Sequence, residues 1–283
     1  MTDVTGYVVR MARALILGAG GTAGALWQAG LVEGFRRAGT DLGDADLVVA
    51  TGASPVTGAL VLSDLDLERS IREVVAVLLA GPSADVEADR LLHVIDVLAD
   101  PSVPADERRQ RVGRMARGSH TAAAHRMDDV LAVLPSGDWP DRLLVPTVDV
   151  ESGARAVWGR DGAATLAEAF RASDALPTVF PPVEIGGRHH MNGIVYSQTH
   201  ADLAAGHDRV VVLAPLRHVL GGALLAEEIG GLGAARSLVV GPGGASREIF
   251  AVGVIDTVTG TAPFHAGLRD AEAYAADVAE VWS

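Results

Sequence analysis

One stretch, residues 14–59, constrains this chain more than any other. It reads as a strand (Ala14-Leu15-Ile16-Leu17), a glycine-rich turn (Gly18-Ala19-Gly20-Gly21-Thr22-Ala23-Gly24) and a helix to about Ala38. A second strand follows (Asp46-Leu47-Val48-Val49), then a tight turn (Ala50-Thr51-Gly52-Ala53-Ser54-Pro55) into another helix. Residues 14–32 carry no charge and are long enough to suggest a membrane span. Five glycines, Trp27 and Gln28 argue otherwise, as does the change from strand to helix pattern midway. A buried strand and a buried helix explain the run better.

The remaining numbers narrow the class. At 283 residues, 49% hydrophobic and 21% charged, the chain can bury a full core. A formal net charge of −13 argues against nucleic acid as a partner, because phosphates would be repelled. The absence of cysteine removes disulfides, thiolate catalysis and cysteine metal sites. Residues 1–10 contain Asp3 and no apolar run before a small-residue cleavage site, so a cytoplasmic protein is expected.

Periodicity sets the coarse organisation. Residues 60–135 read as mostly helical, with amphipathic helices over 67–79, 86–98 and 127–134. Prolines at 82, 101 and 104 separate them. The arginine-rich run over 105–118 reads as a solvated helix face. Strands resume at 143–150, with 155–158 as hairpin partner, and continue at 183–185, 189–191, 209–213 and 237–240. Residues 166–172 and 267–281 read as helices. With no repeat or linker, one domain is expected over 13–283, after a flexible stretch over 1–12.

Three groups of residues carry candidate chemistry. The glycine turn opens a helix, so its backbone N–H groups can face an anion, with Gly18, Gly20 and Gly21 as donors. That anion is either a dinucleotide pyrophosphate or the oxyanion of acyl transfer. The dinucleotide reading wants an acid closing the second strand, and Val49-Ala50-Thr51-Gly52 has none. Ser54-Pro55 reads first as N-cap and N1 of a helix, the preferred start, and second as a nucleophile. Asn192-Gly193 reads alone as a turn pair. A serine–histidine pair of Ser54 with His189 or His190 allows only one of those histidines to face the site, because side chains alternate along a strand. His189, His190, His200 and Asp202 show no metal-ligand spacing, so no metal and no cofactor are called for.

Taken in order, the glycine turn, the Gly52 turn and a distant third segment resemble the patatin-like phospholipases. The third segment holds Ala172-Ser173-Asp174-Ala175-Leu176-Pro177, then Val179-Phe180-Pro181-Pro182-Val183. It continues through Gly187-Arg188-His189-His190-Met191-Asn192-Gly193 and Ser197-Gln198-Thr199-His200-Ala201-Asp202-Leu203. In that family the second turn reads Gly-x-Ser-x-Gly and presents the nucleophile. A later Asp-Gly completes a dyad without histidine, and the glycine loop supplies the oxyanion hole. Matched without gaps, the nucleophile position is Gly52, flanked by Ala50 and Ser54 where the family has glycines. The aspartate position is Asn192. A register shifted by two residues places the serine at Ser54, followed by Pro55 and Val56, and both flanks oppose it.

The resemblance implies a three-layer α/β/α sandwich with a mostly parallel central sheet. It implies lipid acyl hydrolase chemistry on a lipid or acyl-ester small molecule, with peripheral membrane contact. Gly52 and Asn192 in place of serine and aspartate imply weak or absent hydrolysis. Two other readings stand beside it: a non-catalytic acyl-binding or scaffold pseudoenzyme, and a nucleotide-binding α/β module.

Overall fold

Strand β1 (Arg13–Leu17) is central because both of its faces are apolar. Leu15 and Leu17 point into one layer of the core, and Ala14 and Ile16 into the other, as a side-chain period of two requires. This computed structural model describes residues 11–82, 87–119, 126–134, 139–220, 222–250 and 260–283. Of the stretch expected to be flexible, 1–12, residues 1–10 lie outside them.

β1 is flanked in parallel by β2 (Leu47–Ala50) and β7 (Arg209–Leu213). β3 (Leu143–Asp149) extends the parallel set beyond β2, and β8 (Arg236–Val240) extends it beyond β7. Three shorter strands are antiparallel: β4 (Arg155–Trp158) and β6 (Arg188–Asn192) both pair with β3, and β5 (Val183–Ile185) pairs with β6. The sheet order is β5-β6-β3-β2-β1-β7-β8, with β4 beside β3. Helices on both faces make a three-layer α/β/α sandwich whose central strands are parallel, the arrangement in which strands read as continuous apolar runs.

The helices are α1 (Gly21–Arg37), α2 (Ser54–Val61), α3 (Leu67–Ala80), α4 (Ala88–Ala99), α5 (Ala105–Ala116), α6 (Arg126–Val133), α7 (Leu166–Asp174), α8 (Ala223–Gly230) and α9 (Ala262–Trp282). α1 and α9 pack so closely that glycine is required at the crossing. A Cβ on Gly30 would run into the carbonyl of Phe264, and one on Gly267 into the carbonyl of Trp27. Trp27 Nε1 then donates to Asp270 Oδ2 across the same contact, at 2.9 Å. No described helix is long and apolar enough to cross a membrane.

Two expectations change. α9 begins at Ala262, five residues before the expected start. α8 was not anticipated at all: its eight residues lie between glycines, and only Leu225 and Glu228 are buried. The arginine-rich α5 is less solvated than its composition suggests. Arg109 donates to the Gly153 carbonyl and Arg108 to the Asp100 carbonyl, while Val112, Gly113 and Ala116 are buried.

Candidate functional site

The two turns meet because β1 and β2 are parallel neighbours that end together. Leu17 lies opposite Ala50, and the Thr51 N–H donates to the Leu17 carbonyl at 3.0 Å. Both turns therefore sit outside the carboxyl ends of their strands, where open α/β sheets hold ligands. Gly52 takes φ +72°, a left-handed conformation that side chains rarely adopt. A Cβ built there would stand 3.5 Å from the Ala19 Cβ and 3.6 Å from Asn192 Nδ2, both ordinary contacts. The space is open, and it faces the glycine turn on one side and Asn192 on the other.

Asn192 ends β6, opposite Thr147 of β3. Its backbone N–H donates to the Ala175 carbonyl at 2.9 Å, joining this strand end to the segment after α7. Its side-chain Oδ1 accepts from the Ile194 N–H at 3.0 Å. That bond orients the amide, since only the oxygen can accept. Nδ2 is thereby turned toward Gly52 and has no acceptor among the described residues. The following glycine is sterically required, because a Cβ on Gly193 would meet the Pro146 carbonyl at 2.6 Å.

Not all of the glycine turn is available to a ligand. The Gly18 N–H donates to Leu213 at the end of β7 (3.0 Å), and the Ala19 N–H donates to the Gln198 carbonyl (2.7 Å). Gly18 is thus corrected from a candidate anion donor to a strand-end contact. The N–H groups of Gly20 and Gly21 have no acceptor among the described residues. They open α1, where the helix dipole adds positive potential.

Ser54 is also corrected. Ala53 is the N-cap of α2, and Ser54 is already helical. Its hydroxyl is fully buried and donates to the Gly18 carbonyl at 3.0 Å, not to or from its own helix. Gln28 Nε2 donates to the same carbonyl at 2.7 Å. The two side chains clamp the peptide at the start of the glycine turn, which the local rule for helix caps could not reveal.

An apolar cleft adjoins the junction. Ala19 and Gly21 of the glycine turn, Ala53 and Asn192 line it, and it encloses about 820 Å³ with its open mouth included. α4 supplies one wall through Leu91, Val94, Ile95 and Leu98, a single face at helical spacing. Besides Asn192, the polar side chain in the lining is Asp174, which forms a buried ion pair with Arg126 at 3.4 Å. The Arg126 guanidinium lies over the Phe180 ring, 4.6 Å from its centre. The sequence missed this pair. Its signal was an acid within the otherwise small and apolar Ala172-Ser173-Asp174-Ala175-Leu176 segment.

The histidines take structural places. His189 is half exposed, while His190 is buried against Thr147 Oγ1 (3.3 Å) and the Trp158 ring. Burial lowers the His190 pKa. His200 is wholly buried, and burial pushes its pKa down to about 4. Arg155 can only donate, so it faces His200 Nδ1 (3.5 Å) and leaves Nε2–H to donate to the Gly193 carbonyl at 3.0 Å. His200 thus braces the Asn192-Gly193 turn from below. Asp149, held by Arg188 and Ser152, has its carboxyl well below the usual range. Among the described residues no group of three or more metal-ligating side chains forms.

No protein-family model and no curated protein matches this sequence. Among solved structures, VipD from Legionella pneumophila is similar over 94% of this chain and 67% of its own, at 11% identity and a TM-score of 0.49. The type III effector protein ExoU is similar over 95% of this chain, at 14% identity and a TM-score of 0.41. This chain spans about half of ExoU, 53% of its length. Both likenesses are too distant to transfer a residue role.

Proposed function

We propose that this protein is an acyl-ligand protein built on a patatin-like lipid acyl hydrolase scaffold, with hydrolysis weak or absent. One observation carries the reading: a left-handed glycine turn at Gly52 faces Asn192 and Ala19 of the glycine turn, and Ala19, Gly21 and Asn192 line the end of an apolar cleft. Serine hydrolase chemistry needs a nucleophile at the first position and a proton acceptor at the second. Gly52 has no side chain, and the Asn192 amide has no basic nitrogen. Two donors, the N–H groups of Gly20 and Gly21, remain for a developing oxyanion, and the cleft is shaped for an alkyl chain. The scaffold of the reaction is kept while its reacting groups are absent. Ser54 is the remaining serine of the turn, and its hydroxyl is committed to the Gly18 carbonyl.

Fluorophosphonate labelling and hydrolysis of short and long p-nitrophenyl esters test this reading. The expected result is neither labelling nor turnover above background, with saturable displacement of a fluorescent acyl probe by long-chain amphiphiles. Stoichiometric labelling at Ser54 would overturn it and restore the shifted register.

A further inference from the structure

The substitution at position 192 changes the sign of what the junction attracts. Asn192 is 6% exposed, so nine-tenths of it is buried, and its Oδ1 is held by the Ile194 N–H. Its Nδ2 points at the space beside Gly52, 3.6 Å from the Cβ position there. On the adjoining side the N–H groups of Gly20 and Gly21 open a seventeen-residue helix. Three features thus meet at one end of the cleft: the helix N-terminus at Gly21, the amide of the nine-tenths-buried Asn192, whose Nδ2 has no acceptor among the described residues, and room beside Gly52, which has no side chain. The acid in the cleft wall, Asp174, is paired with Arg126 and adds little repulsion.

We infer that this junction is a carboxylate seat, and that the cleft holds a free fatty acid in preference to a neutral acyl ester. The inference rests on the acyl-cleft reading above. A carboxylate brings acceptors only. One oxygen fits toward Gly20 and Gly21, where backbone N–H groups and the helix dipole favour negative charge. The other fits the space at Gly52, within reach of Asn192 Nδ2–H. An aspartate at position 192 would set two carboxylates side by side and expel one of them. The alkyl chain then lies among Leu91, Val94, Ile95 and Leu98 of α4. An ester carbonyl could use the glycine donors, but its second oxygen carries an alkyl group and no charge for the amide.

The test compares three C10 ligands of equal chain length: decanoate, decanol and methyl decanoate. Each displaces a fluorescent fatty-acid probe from the unmodified protein at neutral pH and below the micellar range. Decanoate should bind at least tenfold more tightly than either neutral ligand. Asn192→Asp retains the acceptor for the Ile194 N–H, so the turn is kept. It should erase the preference by weakening decanoate at least tenfold while moving decanol by less than threefold. Near-equal binding of the three by the unmodified protein would overturn the carboxylate seat and leave the acyl cleft standing. Unchanged decanoate affinity in a folded Asn192→Asp protein would do the same. Failure of all three to bind would overturn both readings.

Discussion

Asn192 Nδ2 lies 3.6 Å from the point where Gly52 would carry a β-carbon. A serine hydroxyl at position 52 would therefore lie within hydrogen-bond reach of the side chain at position 192. Introducing both groups, Gly52→Ser with Asn192→Asp, should raise p-nitrophenyl ester hydrolysis well above either single change, because nucleophile and base act as a unit. The left-handed φ of +72° limits the gain. Serine there costs about 1–2 kcal/mol of folding stability. Thermal unfolding of the Gly52→Ser protein reads that cost, and fluorophosphonate labelling of the double variant reads the new nucleophile. Intact mass excludes deamidation at Asn192-Gly193 as the source of any activity in the single Gly52→Ser protein. A double variant no faster than the better single would contradict the geometry.

Ser54→Ala should cost about 1 kcal/mol, the usual net worth of a buried hydrogen bond whose partner keeps another donor. Gln28 Nε2 still donates to the Gly18 carbonyl in the variant, at 2.7 Å in the native arrangement. The loss should appear in urea unfolding, with no change in acyl-probe affinity beyond twofold. A tenfold change in affinity without a change in stability would place Ser54 in the ligand site.

Much of this arrangement is legible in the sequence. The uncharged run through β1 and α1 could only be buried, and it lies at the sheet centre. The ungapped match put Gly52 and Asn192 at paired positions 140 residues apart, and they face each other. What failed was the assignment of polar groups by local rules. Ser54 obeys the composition of a helix start, yet its acceptor is 36 residues away in sequence. Gly18 shares the glycine signature, yet β7 takes its N–H. The Arg126–Asp174 pair spans 48 residues. Local spacing constrains backbone conformation, whereas the partners of buried polar groups depend on which strands end side by side.

The Arg126–Asp174 pair supplies a third prediction. Both side chains are buried, at 7% and 9% exposure. Asp174→Ala leaves a guanidinium in the protein interior without its carboxylate, and should cost about 3–5 kcal/mol. Adding Arg126→Met removes the buried guanidinium at similar volume and should recover most of the loss. Chemical denaturation of the native, single and double proteins measures both steps. A double variant no more stable than the single would mean that the two charges are not coupled.

Acid should unfold the protein in two separable stages, and His200 governs the first. Its pKa stands at 6.5 in the unfolded chain and about 4 in the fold, chiefly through burial. A group with a depressed folded pKa binds its proton more readily when unfolded, and here the proton-bound form is the charged one. The stability from keeping His200 neutral is therefore fully present above about pH 6.5 and is lost progressively as the pH falls toward 4. The shift corresponds to roughly 3 kcal/mol over that window. Asp149 acts lower. Its carboxylate, held by Arg188 and Ser152, begins to cost stability only as the pH falls below its unfolded value of 3.8. His200→Asn should separate the two stages. Asparagine tolerates the left-handed backbone at this position, where φ is +51°, and its amide does not titrate. Urea unfolding between about pH 7 and pH 4.5 should show the native protein losing stability and the variant losing markedly less, the remainder coming from His190, whose pKa burial also lowers. A native protein with no loss across that range, or a variant that loses as much, would show that His200 is not kept neutral by the fold.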